Sequence, residues 1–356
     1  MKNKVEIKGN IVCKTYASRM DYVKEESLYK KLKGTGLAPE LLDSHDGYLE
    51  HEYVVGESFL DVLATAKDDY AAMENYFRMF FTWYEKYREL TKMTLGQVRF
   101  DKFVVVDGRL VNLDFEHSKP GYMEDDFARL VAQICLRGDE PYSVTNIESA
   151  KFFIYAGNKY IEYRSEILYD RIIKAIKSES KLLGKPVNEK KMEAIATYLT
   201  SAGIVFAGGD TALSEVSKDL MFMPQRFVSV PKGRGYNSIS LDGFLKVHSG
   251  APVGHLLRRM VEAQNGVREA WTVCVTADMP RIPEILWNEL LSADKNGYAA
   301  VMVEANGKLR EFPLLLNTSM TRLELQNALD RDEKSLIDVL SRMSVNVIKV
   351  EDIRTK

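Results

Sequence analysis

The chain has 356 residues, of which 46% are hydrophobic and 28% charged, a composition typical of a globular protein long enough for two domains. Lys and Arg number 49 against 51 Asp and Glu, and the net charge of −2 argues against a broad nucleic-acid-binding surface, which needs a basic excess. No stretch approaches the roughly 20 apolar residues of a membrane span, and residues 1–8 lack the apolar core of a secretion signal. We therefore expect a cytoplasmic protein that binds neither nucleic acid nor membranes.

The first half alternates short strands with helices. Strands are predicted at residues 4–17 around a Gly9-Asn10 turn, at 40–43, 48–55, 102–106 and 109–113. Helices are predicted at 25–32, 58–63, 69–93, 124–138, 146–178 and 192–199. The aromatic stripe of the 69–93 helix is typical of a packed core rather than a cofactor site. Cys13, Cys135 and Cys274 each lie in an apolar segment, as buried reduced thiols do, and the five histidines show no metal-ligand spacing.

The second half repeats a strand-helix alternation, which favours a mostly parallel sheet. Strands are predicted at residues 203–209, 226–230, 271–276, 298–303 and 345–350, and helices at 252–264, 283–293, 323–329 and 333–343. The change of pattern places a domain boundary near residue 200, with one domain at 1–198 and the other at 199–356.

Several motifs of the first half occur in a fixed order: Val12-Cys-Lys14, Glu25, Glu50-His-Glu-Tyr-Val-Val-Gly56, Leu95-Gly-Gln97 through Lys102, Val111-Asn-Leu-Asp114-Phe-Glu116, and Pro120-Gly121 followed by Asp125-Asp126. Over roughly residues 5–180 they resemble the small-molecule kinase family of aminoglycoside phosphotransferases and choline kinases. The resemblance implies an α+β kinase-like fold that binds ATP. It also implies that Lys14 contacts phosphates, that Glu25 holds Lys14, and that Asp114 binds Mg²⁺.

The catalytic loop departs from that family, whose pattern is His-Gly-Asp followed by Asn. Leu95, Gln97 and Lys102 stand at the positions of the His, Asp and Asn. An amide cannot act as a base and an ammonium cannot bind a metal, so we do not expect phosphoryl transfer by this half. Asp101 is either a substitute base or a solvated loop residue. In the alternative interpretation, Lys14 and Glu25 form a surface ion pair and Asp114 is a turn residue.

In the second half, the segments Ile204-Val-Phe-Ala-Gly208-Gly209 and Ala277-Asp278-Met279-Pro280 resemble motifs of the molybdenum cofactor guanylyl- and cytidylyltransferases. The segments at 250–254 and 311–336 resemble further parts of that family, and the similarity extends over about residues 200–356. It implies a Rossmann-like α/β nucleotidyltransferase fold. Asp278 follows an apolar strand, and a carboxylate at a strand end is placed either to bind a metal or to cap the next helix.

The nucleotidyltransferase resemblance assigns GTP or CTP as substrate. The Gly208 and Gly209 backbone and Lys218 would contact phosphates, and Asp278 would bind Mg²⁺. The loop between them departs from the family, because Asp210 follows the glycines and Leu213 replaces an arginine, so Lys218 is equally well interpreted as a surface lysine.

Three hypotheses about function remain open at this level. The chain is a nucleotidyltransferase acting in or beside molybdenum cofactor maturation, fused to an inactive kinase-like half. Alternatively, it is a non-catalytic scaffold, a pseudokinase that binds nucleotides or a protein partner. In the third hypothesis, the first half is a small-molecule phosphotransferase that uses Lys14 and Asp114.

Overall fold

Contacts divide the chain into two units in the computed structural model, which describes residues 3–66, 69–138, 140–185, 188–208, 218, 220, 223–232, 244–279 and 282–350. The first unit comprises Met1–Ser149 and Ala156–Tyr163, and the second comprises Ala150–Tyr155 and Arg164–Lys356. The boundary between residues 198 and 199 stays a prediction. Within the described residues, no helix combines the length and the apolarity needed to cross a membrane.

The first unit begins with an antiparallel sheet and one helix. The strands, in chain order, are β1 (Lys4–Lys8), β2 (Ile11–Thr15), β3 (Leu41–His45) and β4 (Tyr48–Glu52), and their spatial order is β1-β2-β4-β3. Gly9, with φ of +61°, closes the predicted hairpin between β1 and β2. Helix α1 (Arg19–Leu32) follows β2 and begins where the Ser18 hydroxyl accepts a hydrogen bond from the Asp21 N–H. The helix packs against β3 and β4.

The rest of the first unit contains short strands and longer helices: β5 (Glu57–Ser58), α2 (Phe59–Thr65), α3 (Tyr70–Thr91), a 3₁₀ turn (Phe100–Lys102), β6 (Phe103–Val106), β7 (Arg109–Asn112) and α4 (Met123–Cys135). Helix α5 (Val144–Tyr160) belongs to it except for Ala150–Tyr155, which are assigned to the second unit. The aromatic stripe of α3 is part of the core, as predicted. Phe80, Tyr84 and Tyr87 are fully buried, and Phe80 packs against Phe59 and Phe103.

The second unit contains helices and a mixed sheet: α6 (Ser165–Leu182), α7 (Glu189–Leu199), β8 (Ser201–Phe206), β9 (Gln225–Val230), β10 (Leu245–His248), α8 (Leu256–Gln264), β11 (Trp271–Thr276), α9 (Glu284–Ser292), β12 (Ala300–Ala305), β13 (Lys308–Asn317), α10 (Thr318–Asp330), α11 (Leu336–Ser341) and β14 (Val345–Val350). In the described residues the strand order is β10-β9-β8-β11-β13-β12-β14. Among the described strands only the two pairings of β13 are antiparallel, so the predicted mostly parallel sheet is confirmed.

Several elements differ from the sequence-based prediction, which included no strand at β5, β10 or β13. Strand β13 was not predicted, because it contains Pro313, which cannot donate to a ladder. The register of β13 against β12 shifts between Val301 and Val303, opposite this part of the strand. The helix predicted at 146–178 is two helices, since the chain is extended at Ile161 (φ −137°, ψ 135°) before Ser165 begins α6.

The three cysteines are free and buried, as predicted from their apolar surroundings. Burial raises the pKa of the Cys135 thiol to about 12, which keeps it protonated at neutral pH. These side chains therefore behave as small core residues.

Candidate functional site

The Lys14 side chain lies at the centre of a buried charge network in the first unit. Strand β2 turns it inward, and its ammonium is 2.8 Å from a carboxylate oxygen of Glu25 on α1. The Tyr16 hydroxyl donates to the same oxygen at 2.7 Å, and the Phe115 N–H donates to the other at 3.4 Å. Lys14 is 8% exposed and Glu25 is 0% exposed, which excludes a surface ion pair.

Two further carboxylates approach the Lys14 ammonium from the segment after β7. Glu116 is 3.1 Å and Asp114 is 3.7 Å from it, and both side chains are about one third exposed or less. Glu25, Asp114 and Glu116 each place one oxygen within 4.8 Å of the other two. One ammonium therefore faces three carboxylates. Sequence reasoning assigned no role to Glu116, although its place two residues after Asp114 was a usable signal.

Burial and neighbouring charges determine the protonation states of Lys14, Tyr16 and His51. Burial alone lowers the pKa of Lys14, but the three surrounding carboxylates outweigh that effect and raise the pKa above its usual value. Burial and the charge of Glu25 raise the pKa of Tyr16, so its hydroxyl remains a donor. Burial lowers the pKa of His51, which stacks on Tyr29 with ring centroids 5.2 Å apart. At neutral pH the site holds a Lys14 cation and a neutral His51.

A hydrogen-bonded turn after β7 places Asp114 and Glu116. The Asn112 side chain donates to the Asp114 carbonyl at 2.9 Å and accepts from the Asp114 N–H at 3.4 Å. The Glu116 N–H donates to the Asp114 carboxylate at 3.1 Å. Asp114 is thus a turn residue and, through the same carboxylate, a neighbour of Lys14. The structure thus shows the turn at Asp114, and Mg²⁺ binding by Asp114 stays a prediction.

The network opens on a cavity of about 930 Å³ in the first unit. The cavity is lined by β1, β2, the start of α1, the segment around 51–54, and residues 101–102 and 113–116. Lys14, Asp114 and Glu116 contribute charges to its wall. A cavity of this size with convergent polar groups is typical of a small-molecule site.

Asp126 on α4 anchors the loop of residues 95–102. Its buried carboxylate accepts hydrogen bonds from the Leu95 N–H at 2.7 Å, the Gly96 N–H at 2.9 Å and the Tyr84 hydroxyl at 2.7 Å. Gly96 has φ of +73°, and a Cβ there would lie 2.2 Å from the His117 carbonyl oxygen. The loop backbone is therefore fixed. Asp126 belongs to the acidic first turn of α4, so its sequence context does not distinguish it from Glu124 and Asp125.

The side chains of Gln97, Asp101 and Lys102 in this loop are exposed. Gln97 lines a pocket of about 10 Å³, beside Lys102 and Asp114. Asp101 lines the larger cavity and receives two hydrogen bonds from Arg99, at 3.0 and 3.2 Å. This pocket therefore contains the Lys102 ammonium, and the side chain at position 97 is a neutral amide.

Gly208 and Asp278 lie at one edge of the sheet of the second unit. They follow β8 and β11, which are adjacent and parallel, and the Ala277 N–H donates to the Phe206 carbonyl at 3.1 Å. Strand β9 lies on the other side of β8, so the strand order reverses at this point. Ligands of open α/β sheets bind at such a switch point, outside the carboxyl ends of the strands.

The structure describes less of the other residues predicted for the nucleotidyltransferase site. Asp278 is exposed and does not cap the next described helix, α9, whose N-cap is Pro283. Lys218 is exposed, and Gly209 lies outside the described residues. In the part of the chain that the structure describes, Asp278 belongs to no group of three potential metal ligands.

Arg259 on α8 is a buried residue at the same edge that sequence reasoning missed. Its guanidinium donates to the Ala207 carbonyl at 2.7 Å and to the Ser229 carbonyl at 2.6 Å, where β8 and β9 end. It also lies 5.6 Å from the centroid of the Phe206 ring. Arg259 thus joins the carboxyl ends of two strands, a role that depends on tertiary contacts.

No protein-family model matches the chain, and no curated protein matches it. Two solved structures show weak similarity to it. A choline/ethanolamine kinase family protein from Mesorhizobium loti is 12% identical, with a TM-score of 0.33, over 56% of this chain and 85% of that protein. A protein from Aquifex aeolicus VF5 is 9% identical, with a TM-score of 0.35, over 44% of this chain and 94% of that protein. Both TM-scores are below 0.5, so the site is interpreted from its own geometry.

Proposed function

We propose that the first unit is a kinase-like module that binds ATP with Mg²⁺ in the cavity beside Lys14 and does not transfer phosphate. One observation carries the proposal: a buried ammonium, held 2.8 Å from Glu25, faces a cavity whose wall also contains Asp114 and Glu116. Phosphate binding consists mostly of positioning and charge neutralisation, and these groups supply both.

The donor set of this site suits Mg²⁺, which prefers carboxylate oxygens. Asp114 and Glu116 line the cavity and would hold the ion, whereas Glu25 already accepts hydrogen bonds from Lys14 and Tyr16. The ion would neutralise phosphate charge. Without it, three carboxylates outweigh the single Lys14 ammonium and repel a polyphosphate. We therefore expect nucleotide binding to depend on a divalent cation.

The absence of phosphoryl transfer is proposed from Gln97. A general base must accept the proton of the attacking hydroxyl, and the Gln97 amide does not accept a proton at neutral pH. Asp101 is exposed and held by Arg99. The module would thus retain a nucleotide without consuming it, as a pseudokinase scaffold does.

Isothermal titration of ATP into the chain, with Mg²⁺ or with EDTA, tests this proposal. We expect binding that needs Mg²⁺ and that weakens at least about tenfold in Asp114→Asn, because one carboxylate ligand is lost. Asp43→Asn is the matched control, since Asp43 is an exposed residue of the same unit and does not line the cavity. Undiminished binding by Asp114→Asn, or no ATP binding by the unaltered chain, would overturn the proposal.

For the second unit we propose a nucleotidyltransferase-like site related to the molybdenum cofactor guanylyl- and cytidylyltransferases. The position of Gly208 and Asp278 at the switch point of the sheet favours it. Asp278 would hold Mg²⁺, and Gly208, Gly209 and Lys218 would contact the phosphates of GTP or CTP. We expect a Mg²⁺-dependent thermal shift with one of these nucleotides that is lost in Asp278→Ala and kept in Asp114→Asn. A chain that responds to neither nucleotide has no such site.

A further inference from the structure

Lys102 is a second cation in the wall of the proposed nucleotide site. It ends the 3₁₀ turn, where its N–H donates to the Arg99 carbonyl at 3.1 Å and its carbonyl accepts from the Leu113 N–H at 2.9 Å. These bonds place Lys102 beside the chain segment that leads into Asp114. Its side chain lines the 930 Å³ cavity and also the small pocket that it shares with Gln97 and Asp114.

The two lysines of the cavity differ in their neighbours. The Lys14 ammonium is surrounded by three carboxylates and is nearly buried. Lys102 is exposed, and none of the described carboxylates lies within 4.0 Å of its ammonium. A phosphate that enters the cavity therefore meets an ammonium at Lys102 that no described carboxylate neutralises.

We propose that the site binds its nucleotide with a single divalent cation, and that the Lys102 ammonium supplies the positive charge that a second cation gives in a two-metal site. This inference rests on the proposed function of the first unit. Asp114 and Glu116 are on the cavity wall and suit one hard cation. An ammonium repels a second cation at position 102, and it contacts phosphate oxygens as a point charge. Lys102 is thus a residue that determines the number of metal ions bound.

Counting Mn²⁺ tests the inference. The probe is a non-hydrolysable ATP analogue with Mn²⁺, and electron paramagnetic resonance measures the bound Mn²⁺. The measurement uses the Asp278→Ala chain, so that the candidate site of the second unit does not contribute. We expect one Mn²⁺ per bound nucleotide. Lys102→Asn replaces the ammonium with a neutral amide oxygen donor beside Asp114, and we expect two Mn²⁺ and a steeper dependence of nucleotide binding on Mn²⁺ concentration.

Lys102→Met should retain one Mn²⁺ and bind the analogue about tenfold more weakly, because one charge-assisted phosphate contact is lost. Lys86→Met is the matched control, since Lys86 is an exposed lysine of α3 that does not line the cavity, and it should change neither quantity. Two Mn²⁺ per nucleotide in the Asp278→Ala chain, or undiminished affinity in Lys102→Met, would overturn the inference alone. No nucleotide binding at all would overturn the proposed function as well.

Discussion

The two units place their candidate site residues in opposite environments. In the first unit, Lys14 and Glu25 are buried and joined through a network that also contains Tyr16 and the carboxylates after β7. In the second unit, Asp278 and Lys218 are exposed at their positions. Buried charges are tolerated only when they are paired and hydrogen-bonded, whereas exposed charges are solvated whether or not they have partners.

This difference shows which site residues also determine stability. The Lys14 network contributes to folding even when no ligand is bound, because each of its charges would be costly alone. Asp278 is exposed, so we expect it to affect ligand binding and not folding stability. A change in the first network should therefore alter both stability and binding, and a change at Asp278 should alter binding alone. The following predictions test that division.

The largest effect is expected from Glu25→Leu, which leaves the buried Lys14 ammonium without its nearest carboxylate. Removing one partner of a buried pair costs about 3–5 kcal/mol of the free energy of unfolding. Calorimetric unfolding should show the transition of the first unit moving to a lower temperature. The double variant Lys14→Met/Glu25→Leu should recover at least half of the loss, since it removes the buried ammonium together with its nearest carboxylate. A Glu25→Leu chain as stable as the unaltered one would contradict the division.

The second-largest loss of stability is expected from Asp126→Ala. It removes the acceptor of three hydrogen bonds, two of them buried, and leaves the Leu95 and Gly96 N–H groups unpaired, which we expect to cost about 2–4 kcal/mol. Amide hydrogen exchange at these two residues should accelerate, and ATP binding should weaken because the loop carrying Lys102 loses its anchor. Tyr84→Phe, which removes one of the three bonds, should cost about 1 kcal/mol. Unchanged exchange at Leu95 and Gly96 would rule out the anchoring role.

A smaller effect concerns pH. Burial lowers the pKa of His51 in the folded state, so below about pH 6.5 the unfolded chain takes up a proton that the folded chain does not. The free energy of unfolding of the first unit should therefore fall as the pH decreases from about 6.5 towards the pKa of His51 in the folded chain. Above pH 6.5, His51 is neutral in both states and causes no such loss. Denaturant unfolding between pH 7.5 and 5 measures this, and His51→Gln should show a flatter profile. Identical profiles for both chains would exclude His51 as the cause.

The smallest effect on stability is expected at Asp278. Its side chain is exposed, so Asp278→Ala should change the free energy of unfolding by no more than about 0.5 kcal/mol. The same variant should still lose any Mg²⁺-dependent binding of GTP or CTP. Denaturant titration of the transition of the second unit separates the two outcomes. A loss of several kcal/mol would mean that Asp278 is structural and would remove the contrast between the two units.

Much of the local structure is predictable from the sequence because its causes are local. The Gly9-Asn10 turn, the aromatic core face of α3 and the alternation behind the mostly parallel sheet follow from residue type and spacing. Strand β13 is the counterexample. Pro313 argues against a strand in the sequence, because proline cannot donate to a ladder. The place of β13 between β11 and β12 is determined by long-range pairing.

By itself, the sequence selected Lys14, Glu25 and Asp114 through their motifs, and it showed that Gln97 is not a base. The tertiary structure decided that these three side chains meet, that Glu116 joins them, and that Asp126 and Arg259 hold backbone groups in place. The physical reason is distance along the chain. The Phe115 N–H reaches Glu25 across 90 residues, and burial and hydrogen-bond partners exist only once such segments are packed together.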